Sequence, residues 1–216
     1  MFDIVLFDLD GTLTDPYEGV TNGIRYALQS VGLDETDPVK LRSYIGPPLR
    51  VTFAGYGFSP EQCEKLVAKY RELYLVTGIH QNYLYPGIEL VLKNLSEHGI
   101  KLGLASCKPE DACLRVLDEH GVLGYFSQIV GATVDKTMDT KPAIIAEVLR
   151  RFGISPEDRS RVLMVGDRGS DIDGAHENSV VAAGVLYGYG EKEELLASGA
   201  DFLVEKPEEI LNFVKK

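Results

Sequence analysis

The sequence predicts an α/β fold, a Rossmann-like parallel sheet core with an inserted helical cap, and two observations carry that prediction. Short apolar runs recur along the chain with helical stretches between them, and the rhythm breaks once, after the first run. The runs are DIVLFD at 3–8, KLGLAS at 101–106, QIVGA at 128–132, RVLMVGD at 161–167, VVAAGVLYG at 180–188 and DFLVE at 201–205. Their hydrophobicity is continuous rather than alternating, the pattern of strands buried on both faces. Strand–helix alternation then implies parallel strands joined by crossovers.

Taken in order, Ile4-Val5-Leu6-Phe7 forms the first strand and stops at Asp8, with Asp10, Gly11 and Thr12 close behind. The next run begins only at residue 101, and residues 16–82 fill most of the gap. They read as helical: Ser59-Pro60-Glu61-Gln62 is a capping box with proline at the first helical position. Cys63, Leu66, Val67, Tyr70, Leu73 and Tyr74 then mark one helix face. Tyr85-Pro86-Gly87 punctuates the return to the main domain. The expected division is a core of residues 1–15 and 83–216 and a helical cap of residues 16–82. Later, Ile144, Ile145, Val148, Leu149 and Phe152 form another helical stripe, with Gly153 as its stop signal.

Composition bounds the function. Across 216 residues, 44% apolar and 25% charged side chains are ordinary for a globular protein able to bury a core without staples. A formal charge of −11 argues against a general binder of nucleic acid or anionic membrane, because phosphate backbones need basic surface. The apolar runs are strand-length, short of the ~20 residues a membrane span needs, and Met1-Phe2-Asp3 lacks a basic secretory n-region. Cys63, Cys107 and Cys113 are few and odd in number, which fits a reduced, cytoplasmic setting. If the substrate is anionic, positive charge must be concentrated by a metal or a few lysines.

In open α/β sheets ligands bind at the carboxyl ends of the strands, and polar groups gather there. Asp8 and Asp10 follow the first strand, Ser106 and Lys108 the second; Lys141 opens a later helix, and Asp167 and Asp171 follow RVLMVG. Each has a plainer reading. An aspartate at such a junction often caps a helix, and Ser106 could cap one beginning near Pro109. Lys108 and Lys141 could be solvated surface residues. Yet each lysine precedes a proline at an expected helix start, where the helix dipole disfavours a cation by roughly 0.3–1 kcal/mol. Two carboxylates within about 4 Å also repel by several kcal/mol at an effective dielectric near 20. Three carboxylates and two lysines on one edge make sense around a phosphoryl group and a divalent cation such as Mg2+, which would offset the repulsion between Asp8 and Asp167.

Asp8-Leu9-Asp10-Gly11-Thr12 resembles the first motif of the haloacid dehalogenase superfamily in its phosphatase form. Ala105-Ser106-Cys107-Lys108-Pro109 resembles the second, Lys141-Pro142 the third, and Val165-Gly166-Asp167-Arg168-Gly169-Ser170-Asp171 the fourth. Tyr44-Ile45-Gly46-Pro47-Pro48-Leu49 and Tyr187-Gly188-Tyr189-Gly190 resemble the phosphoglycolate phosphatase-like branch. The resemblance implies that Asp8 attacks phosphorus to give an aspartyl-phosphate, and that Asp10 serves as acid and then base. It implies Mg2+ held by Asp8, the Asp10 backbone carbonyl, Asp167 and Asp171, with Ser106 and Lys141 on the phosphoryl oxygens. Gly11 and Thr12 are expected to contact the substrate near the phosphoryl group, Lys108 to serve its charge, and Arg50 to meet a second anionic group from the cap. Arg42 and Tyr44 are weaker candidates.

Two positions depart from the family pattern. Cys107 stands where relatives often carry Asn and is expected to be a small side chain near substrate rather than a ligand. Arg168 replaces a frequent small residue and is expected to alter access or substrate contacts. Asp135, Asp173 and the scattered His80, His98, His120 and His176 read as solvated, capping or structural residues. The expected activity is a Mg2+-dependent phosphatase acting on a small phosphorylated metabolite, such as phosphoglycolate or a nucleoside monophosphate, by a monomer or homodimer. A sugar-phosphate mutase shares the same motifs and stands as the alternative. A phosphonatase would need a Schiff-base lysine in the cap, and Lys40, Lys65 and Lys69 lack a recognisable context. A signalling receiver or non-catalytic phosphate-binding protein would leave Asp10 and the cap without a use.

Overall fold

The computed structural model describes residues 2–133 and 137–214. In chain order it has β1 (Ile4–Phe7), β2 (Thr14–Asp15), α1 (Tyr17–Gln29), α2 (Pro38–Ser43), α3 (Leu49–Ala54), α4 (Pro60–Tyr74), β3 (Tyr83–Leu84), α5 (Ile88–Glu97) and β4 (Lys101–Pro109). There follow α6 (Glu110–Glu119), β5 (Phe126–Ala132), α7 (Lys141–Phe152), β6 (Val162–Gly166), α8 (Gly169–Glu177), β7 (Val181–Val185), α9 (Lys192–Ala197) and β8 (Phe202–Val204). The chain falls into two compact units, one of Met1–Asp15 with Leu84–Lys216 and one of Pro16–Tyr83.

The first unit is an α/β layer structure on a six-stranded sheet of order β5-β4-β1-β6-β7-β8. Its strands pair in parallel throughout, and helices flank the sheet. β1 is buried along its whole length and lies between β4 and β6, with Leu6 opposite Gly103 on one side and Met164 on the other. Gly103 is small for a packing reason: a Cβ there would lie 2.7 Å from Leu6 Cδ2 and 2.8 Å from Phe152 Cε2. The strand order runs outward from β1 in both directions, so the carboxyl end of β1 is the switch point where open parallel sheets bind ligands.

α7 packs Ile144, Ile145, Val148 and Leu149 into a cluster with Ile4, Leu6 and Met164, the stripe its sequence period predicts. It ends at Gly153, which takes the left-handed conformation at φ 69°. The Gly153 and Ile154 amides then close on the Arg150 and Leu149 carbonyls at 3.0 Å, satisfying the last turn.

The second unit is helical. α4 opens with the capping box read from the sequence, Ser59 N–H donating to Gln62 Oε1 at 2.9 Å and Gln62 N–H to Ser59 Oγ at 3.4 Å. It buries Cys63, Leu66, Val67, Tyr70 and Tyr74, while Leu73 is half-buried. Gly23 of α1 leaves room for Tyr70, whose Cε2 would sit 2.6 Å from a Cβ at that position. Among the described residues no helix is long and apolar enough to cross a membrane.

β4 runs on through Lys108 to Pro109 and α6 begins at Glu110, so Lys108 lies at the end of the strand, directly before the helix start that the sequence places at Pro109. The register of β4 against β5 shifts between Ser106 and Pro109, and this irregularity redirects the last side chains of the strand.

Candidate active site

β1 delivers Asp8 to the switch point, where it is buried and its N–H donates to the Val165 carbonyl at 3.0 Å. The chain then turns on itself. Thr12, Leu13 and Thr14 all donate amides to the Leu9 carbonyl, and Gly11 N–H donates to the Thr14 carbonyl at 2.7 Å. Gly11 holds φ +90°, and a Cβ on it would lie 2.2 Å from Asp167 Oδ2. Glycine is therefore required twice, for the left-handed turn and for room beside a carboxylate. Thr12 is fully buried and its hydroxyl donates to Asp167 Oδ1 at 3.3 Å. Gly11 and Thr12, the residues expected to contact the substrate, thus spend their amides within the turn. A tight turn satisfies its own buried amides, and a buried hydroxyl takes the nearest acceptor.

β6 delivers Asp167, and the first turn of α8 delivers Asp171; both are fully buried. Asp171 divides its oxygens. Oδ2 accepts the Arg168 N–H at 3.0 Å, which is the helix-capping reading, while Oδ1 takes the Lys141 ammonium at 2.7 Å. Lys141, the first residue of α7, also reaches Asp8 Oδ1 at 2.9 Å and donates to the Ala105 carbonyl at 2.9 Å. Burial pulls the Lys141 pKa down, but Asp171 and Asp8 outweigh it and hold the ammonium well above its ordinary value. From the end of β4, Lys108 Nζ spans both oxygens of Asp10 at 2.8 and 2.5 Å. Ser106 is buried beside it, its Oγ accepting the Lys108 N–H at 3.4 Å.

Asp8, Asp167 and Asp171 each offer an oxygen within 4.8 Å of the others. Burial, then the charges of Asp171 and Asp8, push Asp167 up to about 8. Burial likewise raises Asp171 to about 6, against the pull of Lys141. Three acids share one ammonium, so the cluster retains excess negative charge. An oxygen-only donor set, buried and short of positive charge, fits a hard divalent cation such as Mg2+.

The structure thus gathers Asp8, Asp10, Ser106, Lys108, Lys141, Asp167 and Asp171 at one sheet edge. The remaining candidates have partners within their own units. In the helical unit, Arg50 Nε bonds Glu64 at 2.5 Å, which turns its charge to a neighbouring helix. Arg168 Nε bonds Glu194 of α9 at 3.0 Å rather than lying open as a substrate contact. Cys107 packs against the core cluster, and burial pushes its thiol up to about 11, so it stays protonated and a poor ligand. Asp173, His80, His98 and His176 are exposed and His120 half-buried; Asp135 lies outside the described residues.

Tyr187-Gly188-Tyr189-Gly190 served the sequence reading only as a likeness to one family branch, with no site role, yet this segment grips Asp167. Tyr189 N–H donates to Asp167 Oδ2 at 2.8 Å. Cβ atoms on Gly188 and Gly190 would lie 2.4 Å from Asp167 Cβ and 1.9 Å from its carbonyl oxygen. Two glycines closely spaced after a buried strand were the available signal.

Comparison with known proteins agrees with this geometry. The family model described as haloacid dehalogenase-like hydrolase matches residues 5–185. A protein of Pseudomonas aeruginosa named 5'-nucleotidase is 39% identical over 194 residues, covering 89% of this chain and 86% of its own. A phosphoglycolate phosphatase of Vibrio vulnificus is 30% identical over 220 residues, covering 98% and 95%. The crystal structure of "a predicted phosphatase" from Clostridium acetobutylicum superposes with a TM-score of 0.92 at 34% identity, covering 98% of this chain and 99% of that one. With the four motifs in order on one sheet edge, the chain belongs to the haloacid dehalogenase-like hydrolases, as an enzyme of their phosphatase type.

Proposed function

We propose that this enzyme hydrolyses a small phosphomonoester through an aspartyl-phosphate on Asp8. The observation that carries the reading is the buried Asp8–Asp167–Asp171 triangle with Lys141 bridging two of its members. Asp8, Asp167, Asp171 and the Asp10 backbone carbonyl would hold Mg2+, which would supply positive charge to neutralise the phosphoryl oxygens.

An Asp8 carboxylate oxygen attacks phosphorus, the bond from phosphorus to the ester oxygen breaks, and Asp10 gives its proton to that oxygen as the alcohol leaves. Water then attacks the phosphorus of the aspartyl-phosphate while Asp10 takes back a proton. The bond to Asp8 breaks, releasing inorganic phosphate and restoring the carboxylate. Ser106 and Lys141 hold phosphoryl oxygens as charge develops. Lys108 orients the Asp10 carboxylate it already spans.

The substrate class is a small phosphorylated metabolite. A nucleoside monophosphate is the first to test, given the 39% identity to a protein named 5'-nucleotidase, and phosphoglycolate the second. Operation in the cytoplasm is supported by three cysteines that form no disulfide. The test is phosphate release from nucleotides, phosphoglycolate, sugar phosphates and an aryl phosphate, with and without Mg2+, by the enzyme and its Asp8→Asn variant. Metal-dependent turnover lost in the variant is expected. Release that survives Asp8→Asn overturns the nucleophile assignment. Isomerised sugar phosphate without release replaces hydrolysis by phosphoryl transfer within the substrate.

A further inference from the structure

The segment Tyr187-Gly188-Tyr189-Gly190 follows β7 and sits against three parts of the core unit at once. Its backbone holds Asp167, through the Tyr189 N–H at 2.8 Å. The Tyr187 hydroxyl donates to the Thr12 carbonyl at 3.1 Å, in the turn whose Thr12 side chain bonds the other Asp167 oxygen. The Tyr189 hydroxyl donates to Asp15, the last residue of the core unit before the chain passes into the cap. Tyr85, just after the chain returns, packs its ring edge-on to Tyr187 at 5.1 Å.

We infer that Tyr189 is a positioning residue for the metal carboxylate, and that its hydroxyl bond to Asp15 is what fixes the amide on Asp167. The inference rests on the reading of Asp167 as a metal ligand. The backbone of a loop has no covalent brace of its own, and Gly188 on one side and Gly190 on the other leave it the least restrained kind of chain. Both glycines are forced by crowding against Asp167, so stiffness must come from the tyrosines between and beside them. Tyr189 is buried and its ring spans from the carboxylate to the linker. Anchoring its far end on Asp15 converts a flexible loop into a fixed donor. Partners that orient a metal ligand from behind are worth 10–100-fold in metal affinity. Tyr189 acts through its own anchored amide, so removing the anchor alone should cost less than removing the donor.

The test measures metal binding directly on the full chain, with Mn2+ as the probe followed by electron paramagnetic resonance and Mg2+ by calorimetry. The proteins are the wild type and the Asp167→Asn, Tyr189→Phe, Asp15→Ala and Asp15→Asn variants. Wild type should bind one ion tightly and Asp167→Asn should lose it. Tyr189→Phe keeps the ring and the amide and should weaken binding about 3–10-fold. Asp15→Ala should match it, a variant carrying both Tyr189→Phe and Asp15→Ala should be no weaker than either single one, and Asp15→Asn, which keeps an accepting oxygen, should restore most of the affinity. A merely structural role lowers Tm without moving affinity, and that pattern overturns the inference. Absence of binding in the wild type instead overturns the metal reading beneath it, so the two failures are told apart.

Discussion

The two units of this protein use charge in opposite ways. At the sheet edge of the core unit the ionisable groups are buried and share few partners: Asp8, Asp167, Asp171 and Lys141 sit out of solvent, and Asp167 is pushed up to about 8. In the cap unit the charges lie at the surface as pairs, Arg25 with Asp34 at 3.2 Å, Lys65 with Glu61 at 2.8 Å and Lys69 with Glu72 at 2.6 Å. Exposed pairs of this kind contribute about 0–1 kcal/mol each. Charge buried in excess destabilises the fold unless something compensates it. The core edge thus carries an excess of buried negative charge, whereas the helical unit buries the apolar helix faces that include Ile24, Leu28, Leu66 and Val67.

The comparison can be broken first at Asp8. Asp8→Asn should lower phosphate release by about 10^4-fold or more while far-ultraviolet circular dichroism stays unchanged, because the substitution removes the proposed nucleophile and one negative charge together. A variant that keeps even a tenth of wild-type turnover would make the buried triangle structural.

Lys141→Ala is next. It leaves Asp8 and Asp171 buried without the ammonium at 2.9 and 2.7 Å, and breaking such a network costs about 3–5 kcal/mol. Denaturation in urea should show that loss, and added Mg2+ should restore part of it by mass action on the folded state. An equal loss with and without Mg2+ would separate the lysine from the cation.

In the cap the same experiment should give far less. Arg50→Ala breaks the bond to Glu64 at 2.5 Å between partly exposed side chains, and stability should change by under about 1 kcal/mol. Steady-state kinetics then decide what else Arg50 does: a raised KM at constant kcat would assign it to substrate after all.

The smallest effect is expected at Glu35. Its carboxyl is held down to about 2 by Lys40, then the Tyr56 hydroxyl and the Asp37 N–H, with Lys40 at 2.6 Å. A depressed acid contributes stability fully above its ordinary value near 4.5 and loses it as pH falls toward 2. Tm of the wild type should thus drop slightly more between pH 5 and 3 than that of Glu35→Gln, and the gap should shrink in high salt. No difference would leave this pair without energetic weight.

Much of this was legible beforehand where the information is local. The α4 capping box, the α7 stripe and its glycine stop are short-range patterns, and each formed as its sequence period requires. Pro109 likewise marks a helix start, with α6 opening at Glu110, but nothing local shows that β4 extends as far as Pro109. Arg50 and Arg168 looked available because their partners, Glu64 and Glu194, lie 14 and 26 residues away. Side-chain pairing over such separations leaves no periodic trace.

The sequence by itself determined the strands of the six-stranded sheet, the inserted helical segment and the identities of the acids and lysines, because hydrophobic period and turn chemistry act over a few residues; the two-residue strands β2 and β3 are too short to leave such a period. Only the tertiary structure decided what those groups do to one another. Thr12 meets Asp167 across 155 positions, Lys108 meets Asp10 across 98, and Tyr189 meets Asp15 across 174. These contacts exist because parallel strands joined by crossovers bring distant carboxyl ends to one edge. The electrostatics of that edge depend on burial and on distances that no short stretch of chain encodes.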